Sequence, residues 1–436
     1  MTTTAADPEV AEGLRARFRT VRSFTEALAA PLSPEDQTVQ TMPEVSPTKW
    51  HRAHTTWFFE TFVLTPHRPG YEVFDPAYGF LFNSYYEAVG PRHARPQRGL
   101  LSRPGVAEIA AYRAAVDEAM DSFLEEGLDA DVAGLVELGL NHEQQHQELL
   151  LMDIKHVLAT NPLRPAYVDC VGPATDAAPV RTAPQWIPHA GGIVPVGLGG
   201  DGFAFDNERP RHEVLLRPFA VRSTLVTCGE WLEFMADGGY RRPELWMSDG
   251  WATVQTRGWD APAYWVHEDD GWTVQTLGGP RPVDPAEPVC HVSWYEADAF
   301  VRWAGWRLPT ETEWETVATE RTGGGPDGGV PGGAAGIDPA ALRRGAPHPV
   351  AAVDGDEQWF GATWQWTASP YGPYPGFRPA AGAVGEYNGK FMVNQHVLRG
   401  GCCYTPAGHS RTTYRNFFPP AARWPVTGVR LARDGS

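Results

Sequence analysis

Residues 131–159, DVAGLVELGLNHEQQHQELLLMDIKHVLA, constrain the fold more than any other stretch of this chain. Apolar side chains recur three and four apart along it, the period of one helix face. His142 and His146 stand four apart, so a helix projects both imidazoles from the same face, one turn apart. Leu135, Leu138 and Leu149 fall on nearly the same stripe, so the pair points inward. Two inward imidazoles one turn apart are the usual way for a helix to present a metal site.

Three more segments carry the helical period: residues 7–28, residues 46–64 (SPTKWHRAHTTWFFETFVL) and residues 105–126. In the second, Ser46-Pro47 reads as a cap residue followed by proline at the first helical position. Residues 65–104 are less regular. Four amphipathic helices with one long connection predict a four-helix bundle over residues 8–162.

The run His142-Glu143-x-x-His146 is also the zinc-protease signature. That reading needs a third ligand downstream, with Gly at position 149 and His at position 152, where this chain has Leu149 and Met152. No Glu occurs between Glu148 and Glu208, and His156 is ten residues past His146, about 15 Å along a helix. The protease reading fails on its missing ligand. A third ligand should then come from another helix, and KWHRAH offers His51 and His54. On a helical wheel His54 sits centrally among Trp50, Trp57 and Phe58, with His51 about 60° round, so geometry leans to His54 without deciding. Three imidazoles without a carboxylate suit zinc and ferrous iron equally.

From about residue 190 the pattern changes. Residues 163–188 carry proline every few positions and read as a linker. Beyond it, GGIVPVGLGG, RHEVLLRPFAV and HVLRGGCCY read as short strands, and TCGEWLEFMAD and SWYEADAFVRWAG as helices. The Gly-rich residues 321–339 lack the Lys-Ser/Thr of a phosphate loop. The 46 Gly, 40 Pro and 17 Trp fit an irregular α+β domain over residues 189–434. A net charge of −17 argues against nucleic acid and anionic membrane as partners. No run approaches the ~20 apolar residues of a membrane span, and no signal peptide is visible at the start. Five cysteines (Cys170, Cys228, Cys290, Cys402, Cys403), odd in number and without CxxC spacing, argue against a disulfide framework and for a cytoplasmic location.

The histidine-bearing half resembles DinB-type four-helix bundles. The second half resembles the formylglycine-generating-enzyme/sulfatase-modifying fold, a C-type-lectin-like α+β domain. It does so through FAFDNERPRHEV, PVCHVSWYEADAFVRWAGWRLPTETEWE, GATWQWTASP, HVLRGGCCYTP, RTTYRNFFPP and TGVRLAR. In this order the two halves resemble the hercynine sulfoxide synthases of ergothioneine biosynthesis. The resemblance implies iron(II) as cofactor and His54, His142 and His146 as its ligands. It implies that Gln145 contacts the hercynine imidazole, and that Asn416 and Phe417 bind hercynine. FNSYYEAVG is similar to a subgroup in which paired tyrosines, here Tyr85 and Tyr86, face the iron, with Arg95 holding the carboxylate of a free-cysteine substrate. The mycobacterial type instead uses γ-glutamylcysteine and takes its tyrosine from the C-terminal domain.

The implied reaction joins cysteine sulfur to C2 of hercynine and oxidises it to the sulfoxide. Its four electrons reduce O2 to one product oxygen and one water. Tyr85 or Tyr86 would supply a proton or hydrogen atom, steering the outcome away from plain thiol dioxygenation. The hercynine trimethylammonium would lie against Phe417 or Trp424. The alternatives are γ-glutamylcysteine as donor, histidine as acceptor in an ovothiol-type synthase, and a non-catalytic lectin-like module on a structural bundle. Adjacent Cys402 and Cys403 are poorly placed for both to bind one ion, and read as buried filler.

Overall fold

The computed structural model describes residues 8–168, 184–200, 202–325, 328–330, 336–380 and 383–435. Two compact units emerge. The first takes in residues 1–167 and returns to claim residues 381–387; the second holds 168–380 and 388–436.

The first unit is built on four long helices: α1 (Pro8–Ala29), α2 (Thr48–Phe59), α3 (Val106–Glu125) and α4 (Ala130–Thr160). Every residue of α2 is buried, including Lys49, His51, Arg52 and His54. An all-buried helix must satisfy most of its polar groups internally. This one does so through ion pairs and hydrogen bonds to α1, α3, α4 and the carbonyls of Leu81, Phe82, Leu101 and Pro104, leaving Trp57 Nε1 without a partner among the described residues. Arg52 pairs with Glu26 on α1, and Arg113 on α3 donates to Thr55 Oγ1 at 3.2 Å. A π-helical turn, Glu60–Leu64, continues α2. It buries Glu60, whose carboxylate accepts from Tyr71, Phe74 and Tyr112.

The start of α2 differs from the sequence expectation. Pro47 itself is the N-cap, extended at φ −59° and ψ 145°, and no side chain caps the helix. Ser46 is drawn elsewhere: its amide donates to Asp153 Oδ2 at 2.7 Å and its hydroxyl accepts from Arg98 Nη1 at 2.9 Å.

In the second unit Trp186–His189, whose first three residues are assigned to the linker by composition, forms strand β1; residues 169–183 of that linker and Cys170 fall outside the described residues. The strands β2 (Gly192–Val196), β3 (His212–Leu216) and β4 (Phe219–Arg222) arise from the two apolar runs read as strands. A further antiparallel meander, β5 (Trp265–Glu268), β6 (Gly271–Thr276) and β7 (Gly279–Pro282), had no clear apolar alternation to announce it. The main sheet has the order β10-β9-β8-β11, with β8 (Trp364–Pro370), β9 (His396–Arg399), β10 (Asn416–Phe418) and β11 (Thr427–Gly428). The last strand, β12 (Ala432–Asp434), pairs antiparallel with β4.

Helices α5 (Cys228–Ala236), α6 (Trp294–Trp303) and α7 (Glu311–Thr322) each start on a capping box legible in sequence: Thr227 with Glu230, Ser293 with Glu296, Thr310 with Glu313. Trp314 and Val317 of α7 pack on Val194, Val196, Phe219 and Val221 to form the core. Beside them Glu311 is buried between Arg399 and Arg415, at 2.9 and 2.8 Å. None of the described cysteines is in a disulfide; Cys402 is fully buried, whereas Cys403, expected to be buried with it, is only half-buried. No helix among the described residues is long and apolar enough to cross a membrane.

Candidate metal centre

Helix α2 carries His54 and helix α4 carries His142 and His146, and the bundle brings the three together. One nitrogen of each lies within 4.8 Å of the other two. His54 Nδ1 donates to the Phe82 carbonyl at 2.6 Å, which puts its proton on Nδ1 and leaves Nε2 bare. That bare Nε2 is 3.2 Å from His142 Nε2. Two nitrogens each about 2.0–2.2 Å from one ion, at angles of about 90–110°, stand about 3.0–3.5 Å apart, so the spacing suits shared coordination. His142 Nδ1 is buried and has no hydrogen-bond partner among the described residues.

The surroundings favour neutral imidazoles. His54 is stacked on Trp50 and on Trp57, at 4.6 and 5.5 Å between centroids, and Phe58 lies 4.9 Å from His142. Burial, then the neighbouring imidazole of His142, pushes His54 well below its ordinary value. Burial takes His142 down to about 3, against a smaller opposing pull from Glu143. His146 is likewise lowered, by burial first and then by His142 and His54. Neutral imidazoles are what a divalent cation requires. The donor set, two buried imidazoles and the half-buried His146 without a carboxylate, therefore fits a zinc- or iron-like ion.

His51 is not among the three. Its Nδ1 lies 2.8 Å from His146 Nδ1 and its Nε2 lies 3.0 Å from Asp153 Oδ2. His156 is likewise engaged elsewhere, 2.6 Å from Thr41 Oγ1. Glu143, the would-be general base of a protease, faces away into an ion cluster. It accepts from Arg22 Nη1 at 2.9 Å, from Thr25 Oγ1 at 2.6 Å and from Arg113 Nη2.

One tyrosine, Tyr387, reaches a histidine directly, and two more, Tyr85 and Tyr86, pack behind it and beside Trp57. Tyr85 and Tyr86 stack on each other at 4.6 Å, and Tyr86 lies 5.7 Å from Trp57 and 5.1 Å from Phe62. Asn83, 1% exposed, shapes this loop: its Oδ1 accepts from the Tyr86 amide and its Nδ2 donates to the Tyr86 and Gly90 carbonyls. Burial, then Tyr85 and Tyr387, holds the Tyr86 phenol well above 10, so it keeps its proton at neutral pH. Tyr387 arrives from residues 381–387 of the same unit, 5.7 Å from His142 and 6.3 Å from Tyr85. Its hydroxyl donates to Gln145 Oε1. Glu386, the residue before it, accepts from the Glu87 and Ala88 amides at 3.1 and 2.9 Å, tying this segment to the tyrosine loop. Sequence reasoning missed Tyr387, because the bend that holds it, just past the 3-10 turn Ala383–Glu386, leaves no periodic trace.

Two arginines follow the tyrosines. Arg95 is exposed and donates to the Glu44 carbonyl. Arg98, three residues on, is 2% exposed, with its guanidinium carbon 3.3 Å from the Trp50 ring centroid. It donates to Ser46 and Ser84 hydroxyls, its Nε has no partner, and no carboxylate pairs with it among the described residues. Burial drives its pKa well below the ordinary arginine value. In the second unit Asn416 and Phe417 pair with Leu398 and Val397, and Phe417 stacks on Tyr371 at 4.0 Å.

Comparison with known proteins agrees with both halves. The DinB superfamily model matches residues 17–150, and the sulfatase-modifying factor enzyme 1-like domain matches residues 173–344. The chain is 35% identical to the hercynine oxygenase of Mycolicibacterium thermoresistibile over 416 residues, 90% of this chain and 88% of the relative. The hercynine oxygenase of Mycobacterium tuberculosis is 33% identical over 446 residues, 96% of this chain and 97% of that protein. Ergothioneine biosynthesis protein 1 of Schizosaccharomyces pombe is 26% identical over 240 residues, 53% of this chain and 28% of its own. The fold is thus a DinB-like helical domain followed by a sulfatase-modifying-factor-like domain.

Proposed function

The chain belongs to the hercynine oxygenase family and is an oxygenase of ergothioneine biosynthesis, and on that premise we propose that it joins the sulfur of free cysteine to C2 of the hercynine imidazole. The product is hercynyl-cysteine sulfoxide. The balance is C2–H plus S–H plus O2, giving the C–S(=O) bond and one water. The observation that carries the reading is the convergence of His54, His142 and His146, with Tyr387 against His142, in a chain related to hercynine oxygenases over most of its length.

The metal is iron(II), held by His54, His142 and His146. When bound it supplies O2 activation and acidification of the cysteine thiol. The protein contributes the rest. Trp50, Trp57 and Phe58 exclude water from the imidazoles. Tyr86, kept protonated by burial, holds a proton at its phenolic oxygen for delivery to oxygen. Tyr387 fixes the Gln145 amide by donating to its Oε1, so that Gln145 orients the hercynine ring. Asn416 and Phe417 bind hercynine, as the resemblance to the sulfoxide synthases suggests.

Arg98 is the better receptor than Arg95 for the cysteine carboxylate. A buried guanidinium that makes no direct ion pair among the described residues is costly even with the Asp153 charge acting on it, and a substrate carboxylate would relieve that cost. Arg95, exposed nearby in sequence, would guide the carboxylate inward. Substrates are small molecules: hercynine, cysteine and O2.

Iron-loaded protein given hercynine and O2 with cysteine in one vessel and γ-glutamylcysteine in another tests the proposal by product mass. Sulfoxide from cysteine alone supports it. Product from γ-glutamylcysteine alone keeps the reaction and overturns the donor, a result that Tyr387, drawn from the C-terminal half, would then explain. No sulfoxide from either, with iron bound, overturns the reaction.

A further inference from the structure

His51 and Asp153 sit beside the three histidines yet have no part in the chemistry above. Both are 3% exposed. His51 lies one turn before His54 on α2, and Asp153 lies two turns after His146 on α4. The packing of α2 on α4 lines them up as Asp153, His51, His146.

The hydrogen-bond chemistry of that line runs in one direction. Asp153 Oδ2 accepts the Ser46 amide at 2.7 Å and lies 3.0 Å from His51 Nε2. A carboxylate only accepts, so the proton between them is on His51 Nε2. With that single proton on its ring, His51 has a bare Nδ1, which lies 2.8 Å from His146 Nδ1. The proton between those two nitrogens therefore belongs to His146 Nδ1, and His146 Nε2 is left bare. The same tautomer is set in His54 by the Phe82 carbonyl. A reversed proton between the two rings would leave His146 with N–H at Nε2.

We infer that His51 and Asp153 are positioning residues for the metal centre: the Asp153–His51–His146 line fixes His146 with Nε2 free to ligate. The inference rests on the reading that a metal ion is held by His54, His142 and His146. It adds that one ligand's orientation is set from a neighbouring histidine rather than from a backbone carbonyl. Partners of this kind change metal affinity by about 10–100-fold when removed.

Two isosteric halves of histidine separate positioning from mere packing. In His51→Asn the amide oxygen takes the place of Nδ1 and accepts from His146, while contact with Asp153 is lost. In His51→Gln the longer amide keeps a donor for Asp153 and leaves His146 Nδ1–H without an acceptor. Each full-length variant, stripped of metal, is titrated with Co(II) against a chelating dye, and its d–d absorption spectrum is recorded. Far-UV circular dichroism of the metal-free proteins checks folding. The expected result is a Co(II) affinity about 10–100-fold below the parent for His51→Gln. For His51→Asn it is within about threefold of the parent, with a parent-like spectrum, because the acceptor survives. Equal affinities, or the opposite order, overturn the inference.

A second measurement needs no variant. Long-range ¹⁵N–¹H spectra of zinc-loaded, histidine-labelled parent protein should find the His146 proton on Nδ1. A proton on Nε2, or ligation through Nδ1, overturns the inference. Both readouts concern the metal site without turnover, so a failure to make sulfoxide would overturn the reaction and leave this result standing, and the reverse holds too.

Discussion

Glu143→Gln keeps the shape of a side chain and removes its charge. In a His-Glu-x-x-His protease this residue would be the general base, and the substitution would abolish chemistry in a stable protein. Here the carboxylate is completely buried and shared by Arg22, Arg113 and Thr25. Burial alone would push its pKa up, but the Arg113 and Arg22 guanidiniums hold it at about 2, against an ordinary 4.5. That displacement is worth about 3 kcal/mol at neutral pH, within the ~3–5 kcal/mol expected for breaking a buried ion pair. Because the folded value is the lower one, this stability is present above pH 4.5 and drains away as pH falls toward 2. A unit of this size shifts its melting temperature by about 2–4 °C per kcal/mol, so Glu143→Gln should melt roughly 6–20 °C below the parent. Calorimetry of both proteins at pH 7 measures this, and turnover of the iron-loaded variant at about 15 °C, where it is folded, should stay within about threefold of the parent. An unchanged melting temperature with activity gone would refute the reasoning and move Glu143 into the chemistry.

The remaining expectations concern the site. His54→Ala should lower iron content after loading below a tenth of the parent, read by mass spectrometry of the metal, since two imidazoles do not hold a ferrous ion well. Arg98→Ala should raise KM for cysteine by about 10–100-fold, the equivalent of about 1.5–3 kcal/mol for charged hydrogen bonds, with kcat little changed; Arg95→Ala should do less. Tyr86→Phe should raise the ratio of cysteine sulfinate to sulfoxide in the product mixture, because the proton held at its hydroxyl is gone. Metal-free protein should lose stability as pH falls from about 6.5 toward 3. His142 in the unfolded chain takes a proton near 6.5, whereas the folded one resists until about 3, a difference of up to about 5 kcal/mol. Denaturant melts across that range check this.

The bundle was legible because its signal is periodic. The 3.6-residue pattern of 131–159 announces a helix, and the spacing of His142 and His146 announces its chemistry. The wheel could not choose between His51 and His54, because both are buried on α2 and both touch histidines of α4. Which one faces the ligand cluster depends on how α2 packs on α4, and composition does not encode that. Ser46 misled for a related reason: its hydroxyl has a cap residue's chemistry, but the buried Arg98 guanidinium takes it. Arg98 sits on a 3-10 turn and Tyr387 in the bend just past one, where neither period nor alternation marks an inward residue. In the second unit the helices after Thr227 and Ser293 are read from their apolar pattern, while the one after Thr310 is not, although the same Ser/Thr-x-x-Glu capping box starts all three.

The most direct test supplies ¹⁸O2 to iron-loaded protein with hercynine and unlabelled cysteine, and reads product mass alongside oxygen consumption. The account predicts hercynyl-cysteine sulfoxide carrying one ¹⁸O atom, formed one for one with O2 consumed. A protein that binds iron through the three histidines and yields no C–S product, or yields only cysteine sulfinate carrying both ¹⁸O atoms, would contradict it.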